Sequence, residues 1–317
     1  MRKVIGIGET VLDIIFKTDE QDGSGMRPMA AVPGGSTFNC LISLGRCGLN
    51  ASFISETGND RVGRHIISFL RQNGVDPSSV AVYPESKSPL SLAFLNENND
   101  AEYIFYKDHP RDRLEFNYPE VSKDDVVIFG SYYAVNPVIR PQVHAFLEYV
   151  RQHGAILYYD VNFRASHRDE VIKLTPNILE NLEMADIVRG STEDFEVMFR
   201  KTDPDVIYRS QISFYTKKFI CTNGGEPVEL RADGGLKKQY PIVKSGQVVS
   251  TIGAGDNFNA GFIYGLIKHG ITREMIEGGL TESQWDAVIG CALQFSANVC
   301  KSINNYVDEA FAKELKI

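Results

Sequence analysis

The chain has 317 residues, 43% hydrophobic and 23% charged, with a formal net charge of −8 at pH 7. That length suits a large α/β domain with an accessory piece, and the composition excludes a disordered chain. The negative balance argues against a nucleic-acid partner, whose binding relies on neutralised phosphates, but leaves room for a local basic pocket.

Residues 4–8 read as a short apolar strand ending in glycine, with Glu9 to Asp13 at its carboxyl end. The basic, apolar start resembles a signal peptide, but Gly6, Gly8, Glu9 and Asp13 interrupt it and no small-residue cleavage site follows. Residues 17–29 predict a loop or hairpin. Pro33-Gly34-Gly35 is a sharp turn, and Ser36 is placed to cap a helix over 37–45. A strand over 51–55 and a helix opened by Asp60 and stopped near Gly74 follow. This strand–helix alternation predicts a parallel sheet covered by helices. Residues 90–107 instead predict an antiparallel hairpin. It belongs to a small β lid built from insertions at about 14–33 and 90–110 of one domain spanning 1–317.

From Val126 the alternation resumes: strand 126–129, helix 141–153, strand 156–160, helix 176–182, strand 187–189, then a polar helix from Thr192. Residues 201–211 read as a loop or short helix. Strand 218–222 leads into the turn Asn223-Gly224-Gly225, and 227–232 and 237–241 resemble antiparallel edge strands. The last predicted helices are 258–269, with its start near Asp256, then 285–299 and one from Val307. No apolar run approaches the roughly 18 residues of a membrane span. Five scattered cysteines without CxxC or zinc spacing predict free thiols in a reducing, cytoplasmic compartment.

Asp13, Asp160 with Asn162, Thr222 and Asp256 recur where predicted strands end, which in an open α/β sheet is where ligands bind. Thr251-Ile252-Gly253-Ala254-Gly255-Asp256 combines a glycine turn with a helix start, an arrangement suited to an anion. Asp256 is either an ordinary N-cap or a base beside that anion site. Gly34-Gly35 permits close ligand approach, and Asn39 sits one helical turn beyond. Arg164 reads as a partner for phosphoryl oxygens or as half of a surface ion pair. Glu193-Asp194 is either a source of carboxylates for hydrated magnesium or a pair of acids favoured in a first helical turn. The third glycine of a dinucleotide fingerprint is absent after Gly6-Ile7-Gly8, and neither a P-loop nor a GxSxG elbow occurs.

These motifs resemble the ribokinase-like (PfkB) carbohydrate kinases over about 4–306. The C-terminal signature matches Thr251 to Phe258 with Gly261. The N-terminal one matches Pro33-Gly34-Gly35, Asn39, Gly45, Gly58-Asn59-Asp60 and Gly63. The resemblance implies a doubly wound, mostly parallel sheet flanked by helices with a β-sheet lid that often serves homodimerisation. It also implies transfer of the γ-phosphoryl group of ATP, with Mg²⁺, to a small sugar. The look is closest to fructokinases, so fructose is the expected acceptor. Other sugars, 2-keto-3-deoxygluconate and a nucleoside such as adenosine are alternatives, as is a catalytically weak sugar- or nucleotide-binding protein.

On the family's pattern, Asp256 is the catalytic base, Gly253, Ala254 and Gly255 form the anion hole, and Arg164 lies near the phosphates or acceptor. Asp13, Gly34, Gly35, Asn39, Asn162, Phe105 and Lys107 face the acceptor, with Lys107 or Arg111 able to meet a carboxylate. Ser191, Thr222, Gly224, Gly225 and Asn298 lie on the nucleotide side, and Asp194 reaches the metal through water. Three positions depart from the pattern. Ser250 replaces the acid that helps hold K⁺ in cation-activated members. Ser191 replaces the amide of the family's N-x-x-E stretch, and Lys107-Asp108 stands where a lid arginine is common.

Overall fold

A computed structural model describes residues 2–17, 27–95, 101–108, 114–243, 246 and 248–317. The main sheet contains β1 (Lys3–Ile7), β4 (Asn50–Gly58), β5 (Val75–Asp76), β6 (Val80–Tyr83), β9 (Val126–Gly130), β10 (Ile156–Asp160), β11 (Ile187–Ser191), β12 (Phe219–Thr222), β13 (Val228–Arg231) and β14 (Lys237–Tyr240). Its order is β14-β13-β12-β11-β10-β9-β1-β4-β5, with β6 also paired to β4. Pairing is parallel from β12 through β5 and antiparallel only at β13 and β14. The mostly parallel, doubly wound sheet expected from the alternation is therefore present.

Its central strands are apolar on both faces because helices cover both. Val4, Ile128, Ile156 and Tyr158 pack on the side of α1 (Ser36–Arg46), α8 (Ala254–Lys268) and α10 (Glu282–Val299). Ile5, Val127, Phe129, Leu157 and Tyr159 face the side of α4 (Arg140–Gln152) and α5 (Val171–Met184). The remaining helices are α2 (Arg61–Gln72), α3 (Ser131–Val135), α6 (Thr192–Phe199), α7 (Pro204–Ile207), α9 (Arg273–Gly278) and α11 (Glu309–Glu314). None among the described residues is long and apolar enough to cross a membrane.

A second sheet, ordered β3-β2-β7-β8, contains β2 (Val11–Lys17), β3 (Arg27–Gly34), β7 (Leu90–Leu95) and β8 (Ala101–Tyr106). It stands as the lid over the carboxyl ends of β1, β9 and β10, where the main sheet reverses its order. That switch point is the ligand crevice of such sheets.

Several local expectations are corrected. Asp13 does not end β1 but lies within lid strand β2. Pro33 and Gly34 close β3, so the turn is Gly35 alone, at φ +123°. Ser36 is not a cap but the first helical residue, and its hydroxyl is directed to Asp160 at 3.4 Å. α5 starts five residues before Pro176. The carbonyl that proline strands is that of Ile172, which is 90% exposed and open to water. Residues 201–211 hold α7 and the start of a π-helical turn, Tyr208–Ile212, and α9 has no counterpart among the sequence expectations.

Candidate active site

Beneath the lid is a cavity of ≈ 520 Å³ bordered by Asp13, Gly35, Asn39, Asn162, Arg164, Gly253 and Asp256, with Phe105 and Lys107 on the lid side. These expected residues come from five separate segments of the chain. Gly253 supplies the turn at φ +77°, and a Cβ there would lie 2.7 Å from the Asn305 carbonyl oxygen. α8 begins at the next residue, capped by Gly253 and by no side chain. Asp256 is thus the third helical residue and not an N-cap. Its carboxylate is free of capping and accepts a hydrogen bond from Asn39 Nδ2 at 2.8 Å.

The backbone of this turn differs in one respect from the expected anion hole. Ala254 N–H already donates to the Thr251 carbonyl at 3.1 Å. The first amide with an acceptor one turn back is Asn257, bonded to the Gly253 carbonyl at 2.9 Å. Gly255 and Asp256 therefore hold the unpaired amides of the helix start, where the positive end of the helix favours an anion. Asn257 braces the turn by donating to the carbonyls of Gly253 and Asn305, both at 2.8 Å.

Asp256 is 9% exposed. Burial raises its pKa above the usual carboxylate range, opposed by the Asn39 hydrogen bond and the positive charge of Arg164. Asp13, opposite it, accepts from Ser91 Oγ and, at 3.3 Å, from Asn305 Nδ2. Gly34 does not border the cavity. It gives Asp13 room, since a Cβ at Gly34 would meet Asp13 Oδ2 at 2.1 Å. Asn162, at φ +36°, donates to Ser131 Oγ at 2.7 Å. Arg164 opens to the cavity solvent although the lid walls it in; Asp194, Asp256 and Glu193 are its acidic neighbours, and it makes no salt bridge among the described residues. Lys107 pairs with Glu9 at 2.6 Å and lies over the Phe105 ring. Arg111 falls outside the described residues.

The residues expected on the nucleotide and metal side have the following surroundings. Asp194 is fully engaged as a capping-box acid: its oxygens accept from Phe163 N at 2.8 Å and Ser191 N at 2.6 Å. Ser191 Oγ in turn accepts from Asp194 N at 3.1 Å. The acid that borders the cavity is Glu193. Asn298 is tied at both ends of its amide to Asp308, the cap of α11, at 2.7 and 3.1 Å. Thr222 Oγ1 accepts from Arg189 Nη2, while Gly224 and Gly225 face open space.

Sequence reasoning overlooked Tyr103, Asn305, His167 and Glu9 on the cavity wall, and Arg189 behind it. Arg189 carried one available signal, a cation at the end of an otherwise apolar parallel strand. Asn305 carried none, because only the packing of the C-terminal segment brings it to the turn.

A reversed parallel sheet under a small lid, with a carboxylate beside unpaired helix amides, defines a phosphotransferase of the carbohydrate-kinase class. Residues 1–284 match the pfkB family carbohydrate kinase profile, and the chain belongs to that family. It is 26% identical over 293 residues to 5-dehydro-2-deoxygluconokinase 1 of Bacillus cereus, covering 88% of this chain and 87% of that one. It is 30% identical over 250 residues to 5-dehydro-2-deoxygluconokinase of Geobacillus thermodenitrificans, covering 74% and 72%. Among solved structures, a double mutant of fructokinase from Vibrio cholerae, in a fructose-, ADP- and potassium-bound form, superposes with a TM-score of 0.81. It is 17% identical and covers 100% of this chain and 99% of that one.

Proposed function

We propose that the protein transfers the γ-phosphoryl group of ATP to an acidic keto sugar of the 5-dehydro-2-deoxygluconate kind. The observation that carries this reading is Arg164, a cation that opens into the acceptor cavity without an ion-pair partner among the described residues. A carboxylate matches its planar fork as a direct partner, which a neutral sugar does not supply and which Asp194, Asp256 and Glu193 act on only through space. The kinases named for this acid, at 26% and 30% identity, support the same choice. The fructokinase likeness, at 17% identity, bears on the fold, so the fructose expectation yields to the acidic alternative.

In this reading Asp13 and Asn39 hold acceptor hydroxyls and Asp256 takes the proton of the attacking one. The hydroxyl oxygen forms its bond to the γ-phosphorus as the bond to the ADP oxygen breaks. The Gly255 and Asp256 amides stabilise negative charge on the phosphoryl oxygens, and the lid excludes water as a competing acceptor. The open backbone at Gly224 and Gly225, with Thr222, borders the nucleotide. Magnesium bound with ATP neutralises phosphate charge. No group of three or more acidic, His or Cys ligands occurs among the described residues, which suits an ion held mainly by phosphates and water, with Glu193 as the nearby acid.

Steady-state kinetics on an acceptor panel tests the assignment. The acidic keto sugars are expected to exceed fructose, ribose and adenosine in kcat/KM by about tenfold or more, the worth of one charge-assisted hydrogen bond. Arg164→Met should remove most of that preference. Fructose as the best substrate, or a preference indifferent to Arg164→Met, would overturn it.

Ser250 does not fit a potassium site. It is buried, neutral, and its hydroxyl already accepts the Ile252 amide at 3.1 Å. Turnover is therefore expected to change by less than about twofold when K⁺ replaces Na⁺, since no buried carboxylate gains a counter-ion there. Strong potassium activation would contradict this.

Homodimerisation through the lid completes the reading. Tyr103 and Phe105 border the cavity, while Ile104 and Tyr106 on the opposite face of β8 are 46% and 57% exposed. Ile104→Glu should shift the mass measured by light scattering from dimer to monomer; a monomeric wild type would refute the pairing.

A further inference from the structure

Arg189, on β11, is 6% exposed and does not border the cavity, yet it lies directly behind the first turn of α8. Its Nη1 donates to Asp160 Oδ1 at 2.9 Å and its Nη2 to Thr222 Oγ1 at 2.7 Å. The guanidinium stands 5.8 Å from the Phe258 ring centre, and a Cβ on Gly255 would come within 3.0 Å of Nη2. Asp160 uses its other oxygen to accept from Asn259 at 2.8 Å and Ser36 at 3.4 Å. Ser36 also lies beside Asp256 and favours its ionised form. A single buried cation thus joins the nucleotide-side strand end, the glycine turn and the acid next to the base.

We infer that Arg189 is a positioning residue for phosphoryl transfer: it neutralises Asp160 behind Asp256 and holds Thr222 beside the close-packed Gly255. It touches neither substrate and acts through these neighbours. The cost of a lone buried carboxylate explains why Asp160 needs it. The groups around the two acids are Cys40 from α1, Asp13 and Tyr103 from the lid, Asp194 from α6 and Arg164 beyond β10. Tyr158 also faces Asp160. Arg164 acts on Asp256 from the cavity side, which leaves Arg189 as the cation hydrogen-bonded to Asp160. Without Arg189, the Asp160 charge faces Asp256 unopposed and makes the base harder to ionise.

The test uses the full chain with whichever acceptor turns over best, so it does not depend on the acidic-sugar assignment. It does rest on Asp256 being the base. Arg189→Met should move the acid limb of the kcat/KM pH profile upward by about one unit. It should also raise the nucleotide KM about fivefold or more through the freed Thr222. The double variant D160N/R189M should return the limb to its wild-type position while the nucleotide KM stays raised. An unmoved limb in Arg189→Met, or a limb still displaced in the double variant, overturns the inference.

Should Arg189→Met not fold, Arg189→Lys decides. It keeps the charge near Asp160 but cannot bond both partners, so an unmoved limb with a raised nucleotide KM is expected and an unchanged nucleotide KM is fatal. Asp256→Asn, run alongside, separates the two claims. If that variant keeps its turnover, the base assignment fails by itself; if it is inactive and the Arg189 limb is unmoved, only the role of Arg189 fails.

Discussion

Asp256→Asn is expected to lower kcat by about 10²- to 10⁴-fold, the usual worth of a positioned base. Nucleotide affinity should change far less, because the Gly255 and Asp256 amides proposed to meet the phosphates are backbone groups. The substitution preserves shape and an acceptor for the Asn39 amide, which now bonds Asp256 at 2.8 Å. What it removes is the capacity to take a proton. In the wild type, protonation of Asp256 should depress kcat/KM on the acid side. Burial, offset by Asn39 and Arg164, places that limb above the ordinary carboxylate range. Turnover within tenfold of wild type, measured alongside a calorimetric nucleotide titration, would refute a base at this position.

The second large effect is expected at Asp13, where function and stability oppose each other. Asp13 is 6% exposed and its pKa is pushed up to about 7. Burial is the main cause; the Ser91 hydrogen bond opposes it, while Asp256 and Glu9 add to it. The folded chain therefore holds this proton more tightly than the unfolded one, whose Asp titrates near about 4. The associated stability is complete below about pH 4 and is lost as pH rises through about 7. Above that range the ionised group costs the fold on the order of a few kcal/mol relative to its neutral form.

Asp13→Asn keeps a neutral amide there at all pH values. It should raise the thermal midpoint at pH 8 and flatten its decline between pH 4 and 7. The same variant should raise the acceptor KM about tenfold or more, because a charged partner for a hydroxyl is lost. A variant no more stable than wild type at pH 8, or one with unchanged acceptor KM, would contradict the account.

Asp13 also shows where reading the chain falls short. It follows a glycine-ended apolar strand and so reads as that strand's end, but β2 carries it into the lid. Asp194 and Asn298 fit the pattern of ligand residues and also serve as helix-cap partners, Asp194 meeting the Ser191 and Phe163 amides and Asn298 meeting Asp308. Helix caps and ligand sites use the same residue types, and local pattern does not separate them.

Apolar runs of strand length, helix periodicity and the glycine turn before Asp256 are local properties, and they suffice for the sheet, its helices and the reaction class. The contacts that make the site are not local. Asn39 meets Asp256 across 217 positions, and Asn305 meets Asp13 across 292. Which polar groups face one another, which carboxylates lose water and which cation stands behind Asp256 follow from how the sheet, lid and C-terminal segment close together. Desolvation and pairing act through space, and only the packed chain sets those distances.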